Sequence, residues 1–152
     1  MNEKFFNDII TKYGDTVLRV AISVTGNKQD AEDIFSDVFF VLWQSKEVFN
    51  SELNIKAWLI RVAINKSKNI RKSAYNRYKA ELHDNIAATE NMVDLDIDAA
   101  MQKLEPLDRA ILYLHYFEGY SFVDIAYTLG IPDSSVRSKA KRAREEMKEF
   151  LE

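Results

Sequence analysis

Eight basic side chains, Lys56, Arg61, Lys66, Lys68, Arg71, Lys72, Arg77 and Lys79, fall between residues 56 and 79 with no acidic residue among them. Cations at that density hold phosphates, because nothing in the stretch neutralises them from within. Helical spacing then sorts the segment. Ile55, Leu59, Val62, Ala63 and Ile70 form an apolar stripe, while Arg61, Asn65, Lys68 and Lys72 gather on the other side with Arg71 at its edge. An amide among cations suits a separated nucleic-acid strand: the cations hold the backbone and the amide reads an exposed base.

A second basic stretch lies near the end of the chain. Val136, Ala140, Ala143, Met147 and Phe150 or Leu151 fall on one helical stripe, and Ser134, Arg137, Ser138, Lys141 and Arg142 on the opposite side. Ser135 stands beside them. Short hydroxyls and long cations near a helix N-terminus suit close approach to base edges and phosphates. The residues before this helix predict a helix-turn-helix over 121–138. Ser121 is placed to cap the first helix with Asp124 three residues on, and Ala126 leaves room where two helices cross. Gly130 suits a turn of positive φ, and Ile131 and Val136 close a small core.

These cationic stretches flank an acidic one. Residues 80–98 carry Glu81, Asp84, Glu90, Asp94, Asp96 and Asp98 and no Lys or Arg. The net charge of −3 therefore hides a segregation that points to two separate polyanion-binding surfaces. The acidic segment is weakly patterned and long for a loop, so the domain boundary is placed there.

The elements that must carry these groups read as helices throughout. The 152 residues include only four Gly and two Pro, too little punctuation for an all-β fold, and 47% hydrophobic residues supply a core. A first helix is expected after Asn2, breaking near Gly14, and a second from about Asp15 to Val24 with Gly26 as its stop. Asn27 caps a third, carrying Ile34, Phe35, Val38, Phe39, Leu42 and Trp43. A polar connection over 44–54 leads to the basic helix from about Ile55 to Ser73, extending towards Tyr78. Beyond the acidic segment come a helix near 98–104, another opening at Pro106, and the pair at 121–129 and 133–151. The expected fold is all-α: two small helical domains, 1–79 and 99–152, joined by a flexible acidic linker at 80–98.

Several function classes are disfavoured. Without cysteine there are no disulfides or thiolate metal sites, and His83 and His115 are the only histidines. No metal or cofactor is expected, and no nucleophile–base pair or phosphate loop indicates an enzyme. No secretory signal is visible and Arg61 interrupts the apolar run around Trp58, so a soluble cytoplasmic protein is expected.

At this point the residues become recognisable. Leu104-Glu105-Pro106-Leu107-Asp108-Arg109, Tyr116-Phe117-Glu118-Gly119-Tyr120-Ser121-Phe122, Asp124-Ile125-Ala126, Leu129-Gly130-Ile131, Ser135-Val136-Arg137-Ser138 and Arg142-Ala143-Arg144 resemble the C-terminal promoter-binding domain of extracytoplasmic-function (ECF) sigma factors. Thr25-Gly26-Asn27, Asp30-Ala31-Glu32-Asp33, Asp37, Phe39 and Trp43 resemble that family's polymerase-binding helix. Trp58 to Asn65, followed by Arg71-Lys72, resembles its promoter-melting helix. Ser36, Ile64, Asn69 and Ala140 depart from the family's usual Gln, basic, Asp and larger aliphatic residues.

The resemblance implies a sigma factor that directs bacterial RNA polymerase to promoters and helps open them. Its partners would be core RNA polymerase, promoter DNA and an anti-sigma factor. Asp33, Ser36 and Asp37 would bind the polymerase. Arg61, Asn65, Lys68, Arg71 and Lys72 would engage the minus-ten element, and Ser134, Ser135, Arg137, Ser138, Lys141 and Arg142 the minus-thirty-five element. The connection at 44–54 would capture a base, with Phe49 as a stacking residue or a local core anchor. The rival reading is a helix-turn-helix regulator that is not a polymerase subunit.

Overall fold

The computed structural model describes residues 1–81 and 99–151, with 71–81 and Phe150 described by backbone alone. Six helices make up nearly all of it: α1 (Glu3–Thr25), α2 (Lys28–Gln44), α3 (Glu52–Glu81), α4 (Pro106–Tyr116), α5 (Phe122–Leu129) and α6 (Asp133–Leu151). A single helical turn at 99–102 precedes α4. No strand occurs among the described residues. The expected linker at 80–98 lies outside them except for Ala80 and Glu81, the last two residues of α3.

Local chemistry sets most of the boundaries. Asn2 caps α1, its side-chain oxygen accepting from Lys4 N at 2.8 Å, and Gly26 ends it at φ 70°. Asn27 then caps α2 through Asp30 N at 3.0 Å. Ser51 Oγ accepts from Asn54 N at 3.2 Å, so α3 starts three residues before the expected Ile55. Pro106 occupies the first turn of α4, where its missing N–H costs nothing.

The expected break near Gly14 is wrong: α1 runs straight through it. A Cβ at Gly14 would stand 3.1 Å from the Phe35 ring. Glycine is there to let α1 approach α2, and the approach is what the bare sequence conceals.

α1, α2 and α3 pack on one another, as do α4, α5 and α6. The halves are also packed together, α1 on α4 and α3 on both α4 and α5. One continuous apolar core results, from Ile9 and Val17 through Leu42 and Leu59 to Ile111, Leu114, Ile125 and Val136. This explains an excess in α3. Its expected stripe is buried at Ile55, Leu59 and Ala63, but Ala57, Ile60 and Ile64 are buried too, on a second stripe. A helix with neighbours on two sides needs two apolar stripes. The departure at Ile64 follows, since that side chain lies in the core where an unpaired charge would be costly. Ser67 shares this buried side and donates to Ala63 O at 2.6 Å.

Candidate nucleic-acid and partner surfaces

With two stripes of α3 buried, one face remains for solvent. Arg61 and Asn65 are exposed on it and Lys68 is partly so. The side chains of Arg71 and Lys72 lie outside the described residues. Three of the five proposed minus-ten residues are thus brought to a single open face at i, i+4 and i+7 spacing.

Phe49, at the head of this helix, is half-buried against the core and meets Trp58 edge-on, with centroids 5.7 Å apart at 73°. Of its two readings, that geometry is the core anchor's.

The helix-turn-helix has the expected chemistry. Ser121 Oγ accepts from Asp124 N at 3.0 Å, Ala126 is buried at the crossing, and Gly130 turns at φ 69°. Val136, Ala140 and Ala143 are buried, and Met147 is half-buried along the same stripe. Ala140 sits in this tight contact, where a larger side chain would separate the helices. Ser134, Arg137, Ser138, Lys141 and Arg142 are exposed, and Ser135 is half-buried.

Two of these cations are held by carboxylates. Arg137 pairs with Asp133 one turn earlier at 2.8 Å. Arg142 reaches back to α4, where its Nη2 donates to Asp108 Oδ2 at 3.2 Å. That bond and the charge of Asp108 push the Arg142 guanidinium further towards its protonated form. Asp108 is buried in the first turn of α4, so the pair ties the recognition helix to the scaffold. Sequence spacing placed Arg142 on the cationic side without revealing this partner 34 residues away. Arg144 is anchored too, donating to the Tyr116 hydroxyl at 3.2 Å.

On α2, Asp33, Ser36 and Asp37 stand together in solvent. Phe40 joins them, 60% exposed and one turn further along the same face. Sequence reasoning grouped the apolar residues of α2 and missed it, although the 33, 36/37, 40 spacing contains the signal. Trp43 is also 44% exposed, its ring edge-on to Phe6 at 5.0 Å.

His115 has a structural setting: Nδ1 lies 2.7 Å from Tyr120 O, and the ring stacks on Phe122 at 4.2 Å. No cluster of three or more metal-ligating side chains occurs among the described residues. No described helix is long and apolar enough to cross a membrane.

A helix with an exposed acidic face, a cationic helix with one open face and a helix-turn-helix, in that order, define a class. Residues 9–77 match the family model described as Sigma-70 region 2, and residues 94–147 the one described as Sigma-70, region 4. The chain is a sigma-70-type protein, of the class that directs RNA polymerase to promoters. It is 30% identical to the ECF RNA polymerase sigma factor SigL of Mycobacterium tuberculosis, over 80% of this chain and 74% of that one. With the ECF RNA polymerase sigma factor SigE of Mycolicibacterium smegmatis the identity is 27% over 96% of this chain, which spans only 61% of that relative's length. The fold is that of the sigma factor RpoE from Bartonella quintana, solved in complex with the anti-sigma factor NepR, with a TM-score of 0.69, 24% identity and 97% of each chain covered. The chain belongs to the family of ECF RNA polymerase sigma factors.

Proposed function

We propose that this chain loads core RNA polymerase onto specific promoters, with residues 1–79 docking the polymerase and opening the minus-ten element. Residues 99–152 read the minus-thirty-five element, and 80–98 joins the two. The observation that carries this reading is the pair of exposed cationic faces on separate helices, one of them behind a capped helix-turn-helix.

The proposed roles follow the family resemblance. Asp33, Ser36 and Asp37, with Phe40 as apolar anchor, form the polymerase-docking face of α2. Arg61, Asn65, Lys68, Arg71 and Lys72 hold the opened strand, the cations on phosphates and the amide at a base. Ser134, Ser135, Arg137, Ser138 and Lys141 enter the major groove, while Arg142 contributes a guanidinium whose position Asp108 fixes. The chain breaks and forms no covalent bond itself; the polymerase does the chemistry. It works in the cytoplasm, and an anti-sigma factor is its expected inhibitor.

Transcription from promoter DNA by purified core polymerase, with and without the chain, is the test. Specific initiation should appear only when the chain is added. Promoter-specific DNA binding with no effect on initiation would overturn this reading in favour of a free-standing helix-turn-helix regulator.

A further inference from the structure

Asp108 is buried in the first turn of α4, while its partner Arg142 stands half in water on α6. Asp108 Oδ2 accepts from Arg142 Nη2 at 3.2 Å, and Oδ1 has no partner among the described residues. Arg142 is therefore what keeps a buried carboxylate from standing unpaired. The charges of Glu105 and Glu146 add to the attraction on its guanidinium. Drawing the arginine away would leave Asp108 charged and out of reach of water, which costs far more than parting an exposed pair.

Arg137 gives the contrast within the same helix. It pairs with Asp133 one turn earlier, the two side chains 63% and 40% exposed, so water replaces either partner at little cost. Arg137 can leave for a base or a phosphate wherever one is presented. Arg142 is tied to one place. Its stretch of backbone is set as well, because Ala140 and Ala143 are buried and Arg144 donates to the Tyr116 hydroxyl. Affinity for DNA of any sequence comes from cations that follow phosphates into whatever register the protein lands in. In the one register that base contacts select, a fixed guanidinium meets its phosphate or base edge without leaving Asp108, which engages only Nη2. In every other register it must leave Asp108 or go without.

We infer that Asp108 is a positioning residue for promoter discrimination: by holding Arg142 it withholds that cation from DNA lacking a minus-thirty-five element, without touching DNA itself. Its role rests on the proposed reading of that element by α6. A carboxylate beside a DNA-binding face ordinarily weakens all binding alike. Buried and tied to one arginine, Asp108 weakens the wrong complexes and spares the right one, and specificity rises through the difference.

The test uses the full-length chain with core polymerase and two duplexes. One is a promoter that the wild type selects from a library randomised at the upstream element; the other is the same promoter with that element scrambled. Asp108→Asn keeps the shape and an acceptor but loses the charge that holds Arg142. It should raise affinity for the scrambled duplex by roughly two- to fivefold and steepen the salt dependence there by about 0.9 in log–log slope, the value of one more cation on phosphate. Affinity for the selected duplex should stay level or fall, so the ratio between them drops. A merely loosened α6 would weaken both. Asp133→Asn removes an equal charge and should move both duplexes alike. In an Arg142→Gln background Asp108→Asn should leave the ratio where it was. Should circular dichroism show Asp108→Asn unfolded, Arg142→Gln alone decides, with its loss of affinity falling mainly on the selected duplex. The role of Asp108 is overturned by an unchanged ratio in folded Asp108→Asn, by a drop that persists without Arg142, or by an equal drop from Asp133→Asn. Equal losses on both duplexes from Arg142→Gln overturn it too. A wild type that selects no promoter from the library sinks the sigma-factor reading instead.

Discussion

Helix α6 holds its three arginines on partners, whereas Arg61 and Lys68 of helix α3 are in no ion pair among the described residues. Arg137, Arg142 and Arg144 are held by Asp133, Asp108 and Tyr116, two of them across to α4. None of the ion pairs among the described residues involves Arg61 or Lys68. The difference suits the proposed targets. A duplex groove has fixed geometry, so a reader gains from side chains already ordered before contact. A separated strand has none, and mobile cations follow its phosphates at little cost. The lesson is that equal charge density, which is what a sequence displays, can serve two different physical strategies.

The largest expected effect concerns how these helices are supported. α3 is buried on two sides in a core that runs through both halves, whereas the buried stripe of α6 faces α4 and α5. Leu59→Ala should cost about 2–5 kcal/mol through lost burial and the cavity left behind. Both tryptophans, Trp43 and Trp58, lie in the first half, so their fluorescence follows that half while far-ultraviolet circular dichroism follows the whole. The two signals should shift together in denaturant. Should dichroism split into two transitions with only one matching the fluorescence, the core is shared in geometry but not in cooperativity, and the comparison loses its first leg.

Next comes the division of labour. Arg137→Ala should weaken upstream recognition by ~1–3 kcal/mol if its contact is a bidentate base pairing, leaving strand opening largely intact once the complex is loaded. Asn65→Ala should leave upstream binding near normal and reduce melting at minus ten. Footprinting measures the first step and permanganate reactivity of unpaired thymines the second. A promoter with a pre-melted bubble should relieve the Asn65 variant and do nothing for the Arg137 variant. Equal loss of upstream binding in both, with no help from the bubble, would merge the two surfaces into one.

A smaller effect belongs to α2, which meets protein and no nucleic acid in this reading. Phe40→Ala should weaken core-polymerase association by about 1–2 kcal/mol, the value of covering the part of the ring now in water. Asp33→Lys with Asp37→Lys should weaken it by charge reversal. Dichroism should show the fold retained, because all three side chains are exposed. Normal pull-down by both folded variants would move the docking surface off α2.

How legible this was depended on the range of the interaction. Caps and stops were readable, because Asn27, Ser121 and Gly130 act on atoms within four residues of themselves. The single cationic faces of α3 and α6 were readable for the same reason: a period of 3.6 is local. Gly14 was misread because its role is set by Phe35 on another helix, and no local pattern separates a glycine that stops a helix from one that admits a neighbour. The second stripe of α3 was passed over because a one-sided helix was assumed, although Ala57, Ile60 and Ile64 were in plain view. Asp108 with Arg142, and Arg19 with Glu118, were beyond reach, since their partners lie 34 and 99 residues away.

The smallest expected effect returns to the contact between the halves. Glu118 titrates below the ordinary 4.5, chiefly because the Arg19 guanidinium donates to its carboxylate; burial opposes this, while the Tyr113 hydroxyl and the charges of Arg19 and Lys56 add to it. A carboxylate whose folded pKa is depressed stabilises the state that depresses it at every pH above its unfolded value. That contribution is lost as pH falls through the folded value. The packing of the two halves should therefore hold between neutral pH and about 4.5 and loosen below it, by no more than about 1 kcal/mol for a pair whose arginine is half in water. Other carboxylates protonate over the same range, so the wild type alone is not diagnostic. Glu118→Gln keeps a group able to accept from Tyr113 but cannot titrate. With dyes on Asp8→Cys and Glu145→Cys, one exposed position in each half, the difference between the two energy-transfer curves isolates the one residue. The wild type should show the steeper acid loss, and the variant should start from lower transfer at neutral pH. Two superimposable curves would mean that Arg19 and Glu118 touch without biasing how the halves pack. The apolar core would then hold the halves together unaided.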